Sequence, residues 1–199
     1  MHDSTNVACL LLSAGSSRRM GTNKLSLPLE TQTVFETTLG EIEDAPFAEV
    51  IVVTGHEAEV IKPLIARGRA LHVHNPNYNA GMHSSIRAGL ENLPASEGFV
   101  AVCLADQPLL KRSDYTRLIE AAKKNPEARL ISPTFRGQRG NPVLISLGLK
   151  KEILAHPDDD KGCAYLFKSY PDRVVLIEMP TDACLIDVDT PEAYQRLLS

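Results

Sequence analysis

The chain has 199 residues and a net charge of −4, with 43% hydrophobic and 23% charged residues. This length favours one domain over residues 1–199, and the composition is ordinary for a globular protein with a full core. The acidic balance argues against general binding to nucleic acid or to a membrane surface, since both favour a basic excess. No apolar run is as long as a membrane span, and residues 1–6 lack the features of a signal peptide. We therefore expect a cytoplasmic location, no nucleic-acid partner and no membrane partner.

Apolar strands alternate with helices along the chain. Continuous apolar runs predict strands at residues 7–12, 49–55, 70–74, 98–105, 129–132, 142–145, 173–178 and 183–186. Helical spacing and capping residues predict helices at 31–45, 57–66, 84–92, 113–124 with Ser113 as cap, 149–155, 163–170 and from Thr190 onward. Strands that are apolar throughout and alternate with helices indicate a mostly parallel sheet covered on both faces. We predict a single-domain, three-layer α/β/α fold of Rossmann-like type, with a small β insertion near residues 134–146.

The first predicted strand ends in a polar loop between two glycines. Gly15 and Gly21 tolerate backbone angles that other residues avoid, so the N–H groups of this loop can converge on an anion. Arg18, Arg19 and Lys24 add positive charge where a polyphosphate would need it. The spacing matches neither the Walker loop nor the dinucleotide fingerprint. The residues alone therefore allow either a third kind of phosphate loop or a surface turn with solvated arginines.

Aspartates follow two of the predicted strands. Asp106 comes directly after the strand at 98–105, and Asp187 and Asp189 follow the one at 183–186. Ligands of open α/β sheets bind at the carboxyl ends of the strands. Mg²⁺ commonly takes one or two protein carboxylates together with phosphate oxygens. We expect a Mg²⁺ site at this edge of the sheet, and the alternative is that the aspartates only open a turn and cap a helix.

The loop after the first strand resembles the signature loop of the nucleotidyltransferases that activate molybdopterin. The similarity is greatest to the molybdenum cofactor cytidylyltransferase family and its guanylyltransferase relatives. In that family the loop wraps the triphosphate of a nucleoside triphosphate. The resemblance implies a fold of the nucleotide-diphospho-sugar transferase type and catalytic phosphate contacts from Arg19 and Lys24. The nucleotide-binding positions that it implies in the loop are Ala14, Gly15, Ser17, Arg19, Gly21 and Lys24.

The two aspartate segments also resemble segments of this family. Residues 104–108 are similar to its metal-binding aspartate segment, which implies that Asp106 is a metal ligand and a catalytic residue. Residues 187–192 are similar to the segment that supplies the second metal carboxylate. We favour Asp189 as that ligand, with Asp187 as the alternative. The implied cofactor is Mg²⁺.

Other segments extend the resemblance over residues 8–192, in the order of the family's motifs. Gly81 and Ser85 lie in a segment that resembles its nucleotide-base segment, which implies that both bind the nucleotide. Asn141 and Asp160 lie in segments that resemble its acceptor side, which implies that both bind the acceptor.

The implied reaction is Mg²⁺-dependent transfer of CMP from CTP to the terminal phosphate of molybdopterin, with release of pyrophosphate. Ala14 favours the cytidylyl branch, whereas Ser13, where that branch usually has alanine, leaves GTP as another donor. A molybdenum hydroxylase apoenzyme is a further partner that the resemblance implies. The alternatives are nucleotidyl transfer to another phosphorylated metabolite and a non-catalytic, cofactor-binding maturation factor for such a hydroxylase. Glycosyl transfer, suggested by the Asp-x-Asp at 187–189, is a more distant alternative.

Overall fold

The computed structural model describes residues 6–15, 23–56 and 58–198. Within these ranges the strands are β1 Val7–Ser13, β2 Pro28–Leu29, β3 Gln32–Thr33, β4 Glu49–Thr54, β5 Leu71–His74, β6 Phe99–Leu104, β7 Leu130–Phe135, β8 Gln138–Arg139, β9 Val143–Ser146 and β10 Val174–Glu178. The α-helices there are α1 Val34–Glu43, α2 Ala58–Ile65, α3 Met82–Glu91, α4 Arg112–Lys124, α5 Lys150–Ala155, α6 Leu166–Ser169 and α7 Pro191–Leu197. Short 3-10 helices lie at Lys24–Ser26, Tyr78–Ala80, Leu147–Leu149, Pro171–Arg173 and Asp182–Leu185. No helix in this part of the chain is long and apolar enough to cross a membrane.

The main sheet is mixed but mostly parallel, with the strand order β10-β7-β9-β6-β1-β4-β5 and β8 paired to β7. β1 runs parallel to both of its neighbours, so that Leu11 lies opposite Val52 of β4 and Cys103 of β6. β9 is antiparallel to β6 and to β7, and together with β8 it forms the predicted β insertion. This is the α/β sheet that the apolar runs predict.

The core lies on both faces of the sheet, because every residue of β1 is buried. Cys9 and Leu11 belong to one cluster, which includes residues of α1, α2 and α4. Leu10 and Leu12 belong to the other, which includes residues of α3, α5 and α6. Burial of one leucine side chain contributes about 1.5–3 kcal/mol. The inner strands therefore hold a layer of helices on each side, which confirms the three-layer prediction.

The first helix begins later than predicted. It starts at Val34 rather than Thr31, because Thr33 caps it. Thr33 Oγ1 accepts the backbone N–H of Glu36 at 3.2 Å, and Glu36 Oε2 accepts the backbone N–H of Thr33 at 3.0 Å. This reciprocal capping box satisfies N–H groups that the first turn leaves without helical partners. The residues directly before it form the β2–β3 hairpin.

The predicted cap of α4 was also wrong. The helix begins at Arg112, so Ser113 lies within its first turn. Asp114 supplies the cap instead, since its Oδ2 accepts the backbone N–H of Lys111 at 2.9 Å. An aspartate in the first turn also interacts favourably with the positive end of the helix dipole.

The strand predicted at residues 183–186 is instead part of the 3-10 helix Asp182–Leu185. Ala183 and Cys184 are buried there, and Cys184 packs against the loop after β8 rather than pairing in the sheet. A Cβ at Gly140 would lie 2.2 Å from the carbonyl oxygen of Cys184, and the backbone N–H of Asn141 donates to that oxygen at 2.9 Å. An apolar run therefore predicted burial correctly but the wrong secondary structure, because a short buried turn has the same composition as a short buried strand.

Candidate active site

Three carboxylates converge just beyond the carboxyl end of β6. Asp106 follows that strand directly, and the backbone N–H of Val188 donates to the Asp106 carbonyl at 2.9 Å. This bond places Asp187 and Asp189 beside Asp106, although no strand precedes them as predicted. One carboxylate oxygen of each aspartate lies within 4.8 Å of the other two. Carboxylates this close repel one another unless positive charge lies between them.

Lys24 supplies positive charge to this cluster. Its backbone is held by the 3-10 turn that begins after Asn23, whose Oδ1 accepts the N–H of Leu25 at 3.0 Å, and Leu25 is buried. Lys24 Nζ donates to Asp106 Oδ2 and, at 2.5 Å, to Asp189 Oδ1. The Lys24 side chain is only 15% exposed. The segment that follows the glycine-flanked loop is thus joined to Asp106 and Asp189 through this lysine.

The pKa values of Lys24 and Asp187 are both raised, but for different reasons. Burial alone lowers the pKa of Lys24, but its ion pairs with Asp106 and Asp189 outweigh burial and the pKa lies above the ordinary value. Burial raises the pKa of Asp187, and the charges of Asp189 and Asp106 raise it further. Lys24 is therefore an ammonium at neutral pH, whereas the ionised form of Asp187 is disfavoured in the folded protein.

We expect Asp187→Asn to raise the melting temperature of the metal-free protein at about pH 7. A carboxyl whose pKa is raised by folding binds its proton more tightly when folded, so its ionisation destabilises the fold once the pH exceeds the ordinary pKa. The penalty vanishes below that pKa, because the group is then protonated in both states. Thermal melts at about pH 7 and about pH 3 check this, with the exposed Asp172→Asn as control. A gain that is equal at both pH values would contradict the explanation.

A cavity of about 530 Å³ adjoins the cluster, a size typical of small-ligand sites. Its lining includes the predicted site residues Ala14, Gly15, Lys24, Gly81, Ser85, Asp106, Asp160, Asp187 and Asp189. The predicted residues Ser17, Arg19 and Gly21 lie outside the described residues. Asn141 lies in the loop after β8, where its backbone N–H bonds to Cys184. The structure therefore brings most of the described candidates to one cavity, and places Asn141 beside the turn that leads to Asp187.

Part of the cavity lining is formed at the start of α3. Gly81 has a φ of +103°, which favours glycine, and a Cβ there would lie 2.5 Å from the Asp159 carbonyl oxygen and 2.7 Å from Asp160 Oδ1. Ser85 Oγ accepts a hydrogen bond from Asn75 Nδ2 at 3.1 Å. Gly81 is thus required for the close approach of the loop that carries Asp160.

Some residues of the cavity had no predicted role. Tyr78, Asn79 and Met82 also line it. A Cβ at Gly55 would lie 2.5 Å from Tyr78 Cβ, so this glycine lets the loop with Tyr78 approach the end of β4. The available signal was the position of the loop after β5, since loops at the carboxyl ends of parallel strands form the ligand sites of such sheets.

The carboxylate cluster has the donors that suit a hard divalent cation. Asp106 Oδ2 bonds to Lys24, whereas Asp106 Oδ1 is buried and has no hydrogen-bond partner among the described residues. A buried carboxylate oxygen without a partner is costly, and a bound cation would satisfy it. Oxygen ligands from two or three aspartates match the preference of Mg²⁺ or a similar ion. The residues therefore fit a metal, with Asp106 and Asp189 or Asp187 as its ligands.

His83 fastens the loop that carries Asp160. Its ring is fully buried, with Nδ1 3.2 Å from the carbonyl oxygen of Gly162 and Nε2 2.9 Å from that of Ile153. Its backbone N–H donates to the Asp159 carbonyl at 2.9 Å. The sequence gives no local signal for this positioning role, because the ring's partners lie 70 and 79 residues away along the chain.

We expect His83→Leu to lower the free energy of unfolding by about 1–3 kcal/mol, because a buried carbonyl left without a donor costs about that much. Urea denaturation followed by circular dichroism measures the change. His74 is exposed, so His74→Leu is a matched control that should shift stability by no more than about 0.5 kcal/mol. Equal stability of His83→Leu and the unsubstituted protein would contradict the role.

The chain is similar in sequence to a known domain family and to known proteins. A model of the MobA-like NTP transferase domain matches residues 9–174. The chain is 27% identical over 205 residues to a nicotine blue oxidoreductase of Paenarthrobacter nicotinovorans, with 98% of each chain covered. It is 24% identical over 190 residues to the molybdenum cofactor cytidylyltransferase of Escherichia coli K12, with 94% of this chain and 93% of the relative covered.

Solved structures show the same fold. The crystal structure of Rv0371c from Mycobacterium tuberculosis H37Rv matches with a TM-score of 0.84 and 26% identity, covering 98% of both chains. A structure of Rv0371c in complex with manganese matches with a TM-score of 0.78 and 24% identity, also covering 98% of both chains. Because the domain model spans most of the chain and includes most of β1, Lys24 and Asp106, the chain belongs to the MobA-like NTP transferase domain family.

Proposed function

We propose that this protein is a nucleotidyltransferase that transfers CMP from CTP to the terminal phosphate of molybdopterin and releases pyrophosphate. The observation that carries the proposal is the convergence of Lys24 with Asp106 and Asp189 on one wall of the cavity. A lysine can bind the phosphates of a nucleoside triphosphate and carboxylates can hold its cation, and the cavity lining has both. The cytidylyltransferase among the relatives supports CTP and molybdopterin as substrates.

We take Mg²⁺ to be the physiological cation, held by Asp106 and Asp189, with Asp187 as the alternative to Asp189. When bound, it would supply positive charge to phosphate oxygens of the substrate as a Lewis acid. The manganese complex of Rv0371c supports a divalent cation in this fold.

The protein's own residues would act by positioning and charge. The acceptor phosphate is already ionised at neutral pH, so its oxygen can attack the α-phosphorus while the bond to pyrophosphate breaks, without a general base. Lys24 and Arg19 would stabilise the charge that develops on the pyrophosphate. Gly81 and Ser85 would line the part of the cavity that holds the nucleotide base.

The acceptor side is proposed from Asp160 and Asn141. Asp160 lines the cavity, with its carboxylate close to Gly81. Asn141 is in the loop that packs on Cys184, and Cys184 lies three residues before Asp187. An acceptor held between these two loops would have its terminal phosphate near the carboxylate cluster. A molybdenum hydroxylase apoenzyme is the partner that would receive the product.

Equilibrium binding of CTP, GTP, ATP and UTP, with and without Mg²⁺, tests the proposal. We expect Mg²⁺-dependent preference for CTP, and a binding that Asp106→Asn weakens while the control Asp172→Asn leaves it unchanged. Pyrophosphate release on addition of molybdopterin would then identify the acceptor. Release with a different phosphorylated metabolite instead would favour the alternative acceptor, whereas no binding of any triphosphate would favour a cofactor-binding maturation factor.

A further inference from the structure

Lys24 bonds two of the carboxylates that would hold a divalent cation. Its Nζ donates to Asp106 Oδ2 and to Asp189 Oδ1. One oxygen of Asp187 lies within 4.8 Å of an oxygen of each of these aspartates. The ammonium therefore acts as a counter-ion within the cluster and offsets part of its negative charge.

A cation that enters alone would compete with this ammonium. The side chains of Lys24 and Asp106 are 15% and 12% exposed, so water screens their pair only weakly. A lysine displaced from the carboxylates without a new partner would leave its charge poorly solvated and close to a second positive charge. Binding of the free cation is opposed by both effects.

A triphosphate changes this balance. Lys24 lines the cavity itself, and its ammonium sits on a flexible four-carbon chain. It can therefore exchange carboxylate oxygens for phosphate oxygens over a short distance, and those bonds are again charge-assisted. Asp106 and Asp189 can then pair with a cation without competition from the ammonium.

We propose that Lys24 keeps free divalent cations off Asp106 and Asp189 until a nucleoside triphosphate draws it away, so that nucleotide and cation bind cooperatively. The inference rests on the proposed function, because the triphosphate is the ligand that releases the lysine. Cooperativity of this kind is a coupling free energy, and it acts equally on both ligands.

Titration with Mn²⁺ alone, followed by the electron paramagnetic resonance signal of the free ion, tests the first half. We expect Lys24→Met to bind Mn²⁺ about tenfold more tightly than the unsubstituted protein, within the usual range of such couplings. Lys24→Arg, which keeps the charge, should bind Mn²⁺ weakly. Lys168 is exposed on α6, so Lys168→Met makes the same change in net charge away from the cluster and should leave Mn²⁺ affinity within about twofold. Unchanged or weaker Mn²⁺ binding by a folded Lys24→Met protein would overturn the proposal.

Calorimetric titration with CTP at zero and saturating Mn²⁺ tests the second half. We expect the gain in CTP affinity on adding Mn²⁺ to be about tenfold smaller in Lys24→Met than in the unsubstituted protein, because the lysine no longer couples the two sites. An equal gain in both proteins would contradict the coupling. Failure of the unsubstituted protein to bind CTP would refute the proposed function, whereas the Mn²⁺ titration without nucleotide would still report whether Lys24 excludes the cation.

Discussion

Asp106→Asn is expected to lower the rate of CMP transfer by about 100- to 1,000-fold, the usual effect of removing one preorganised charged group from a reacting phosphate. Asparagine preserves the size of this buried side chain, but it removes the charge that pairs with Lys24. It also removes the carboxylate whose second oxygen is buried without a partner among the described residues. The loss should therefore arise in the cation site and in the position of the lysine together.

Steady-state release of pyrophosphate, with CTP and the acceptor, measures this effect. Asp172→Asn is the matched control, since it makes the same chemical change at an exposed position and should leave turnover unchanged. If the turnover of Asp106→Asn were within tenfold of that of the unsubstituted protein, Asp106 would have no catalytic role.

Lys24→Ala is expected to reduce kcat/KM for CTP by at least about 100-fold. The Lys24 side chain would have two roles. Before the nucleotide binds, it offsets the negative charge of Asp106 and Asp189, and during the reaction it would stabilise the departing pyrophosphate. Alanine removes both roles, whereas Lys24→Arg keeps the charge and should retain part of the activity. If Lys24 were only part of a structural ion pair, arginine would restore both stability and full turnover. A Lys24→Arg protein that is as stable as the unsubstituted protein but turns over more slowly would therefore identify a phosphate-binding lysine.

Initial rates at varied CTP concentration give kcat and KM for each variant, and Lys168→Ala is the control for the lost charge. Thermal melts must accompany them, because three carboxylates without the lysine repel one another and lower stability. A folded Lys24→Ala protein with turnover close to that of the unsubstituted protein would show that this lysine is dispensable for transfer.

The positions of Asp106 and Lys24 at one edge of the sheet could be predicted from local sequence patterns. Asp106 follows a buried apolar strand, and the position of such a residue at the sheet edge is determined by the strand itself. Lys24 follows a glycine-flanked loop after β1, and β1 is adjacent to β6 in the sheet. Two ligand-bearing segments on neighbouring parallel strands therefore had to lie at the same edge, and the sequence contains both signals.

Other features have no local signal. The segment at 183–186 has the composition of a strand but forms a 3-10 turn, because the loop around Gly140 and not a strand lies against it. The residues beside His83 in the sequence do not indicate that its ring contacts the carbonyl groups of Ile153 and Gly162. Both outcomes depend on which distant segment packs against the residue.

The sequence by itself determined the alternation of strands and helices, the burial of β1 on both faces and the likeness to the nucleotidyltransferases that activate molybdopterin. These properties follow from patterns within some ten to twenty residues, which side-chain periodicity records directly. Only the tertiary structure decided that Lys24 bonds Asp106 and Asp189, which are 82 and 165 residues away along the chain. Contacts over such separations are made by sheet register and loop packing, because a side chain meets a distant partner only after the strands between them have paired.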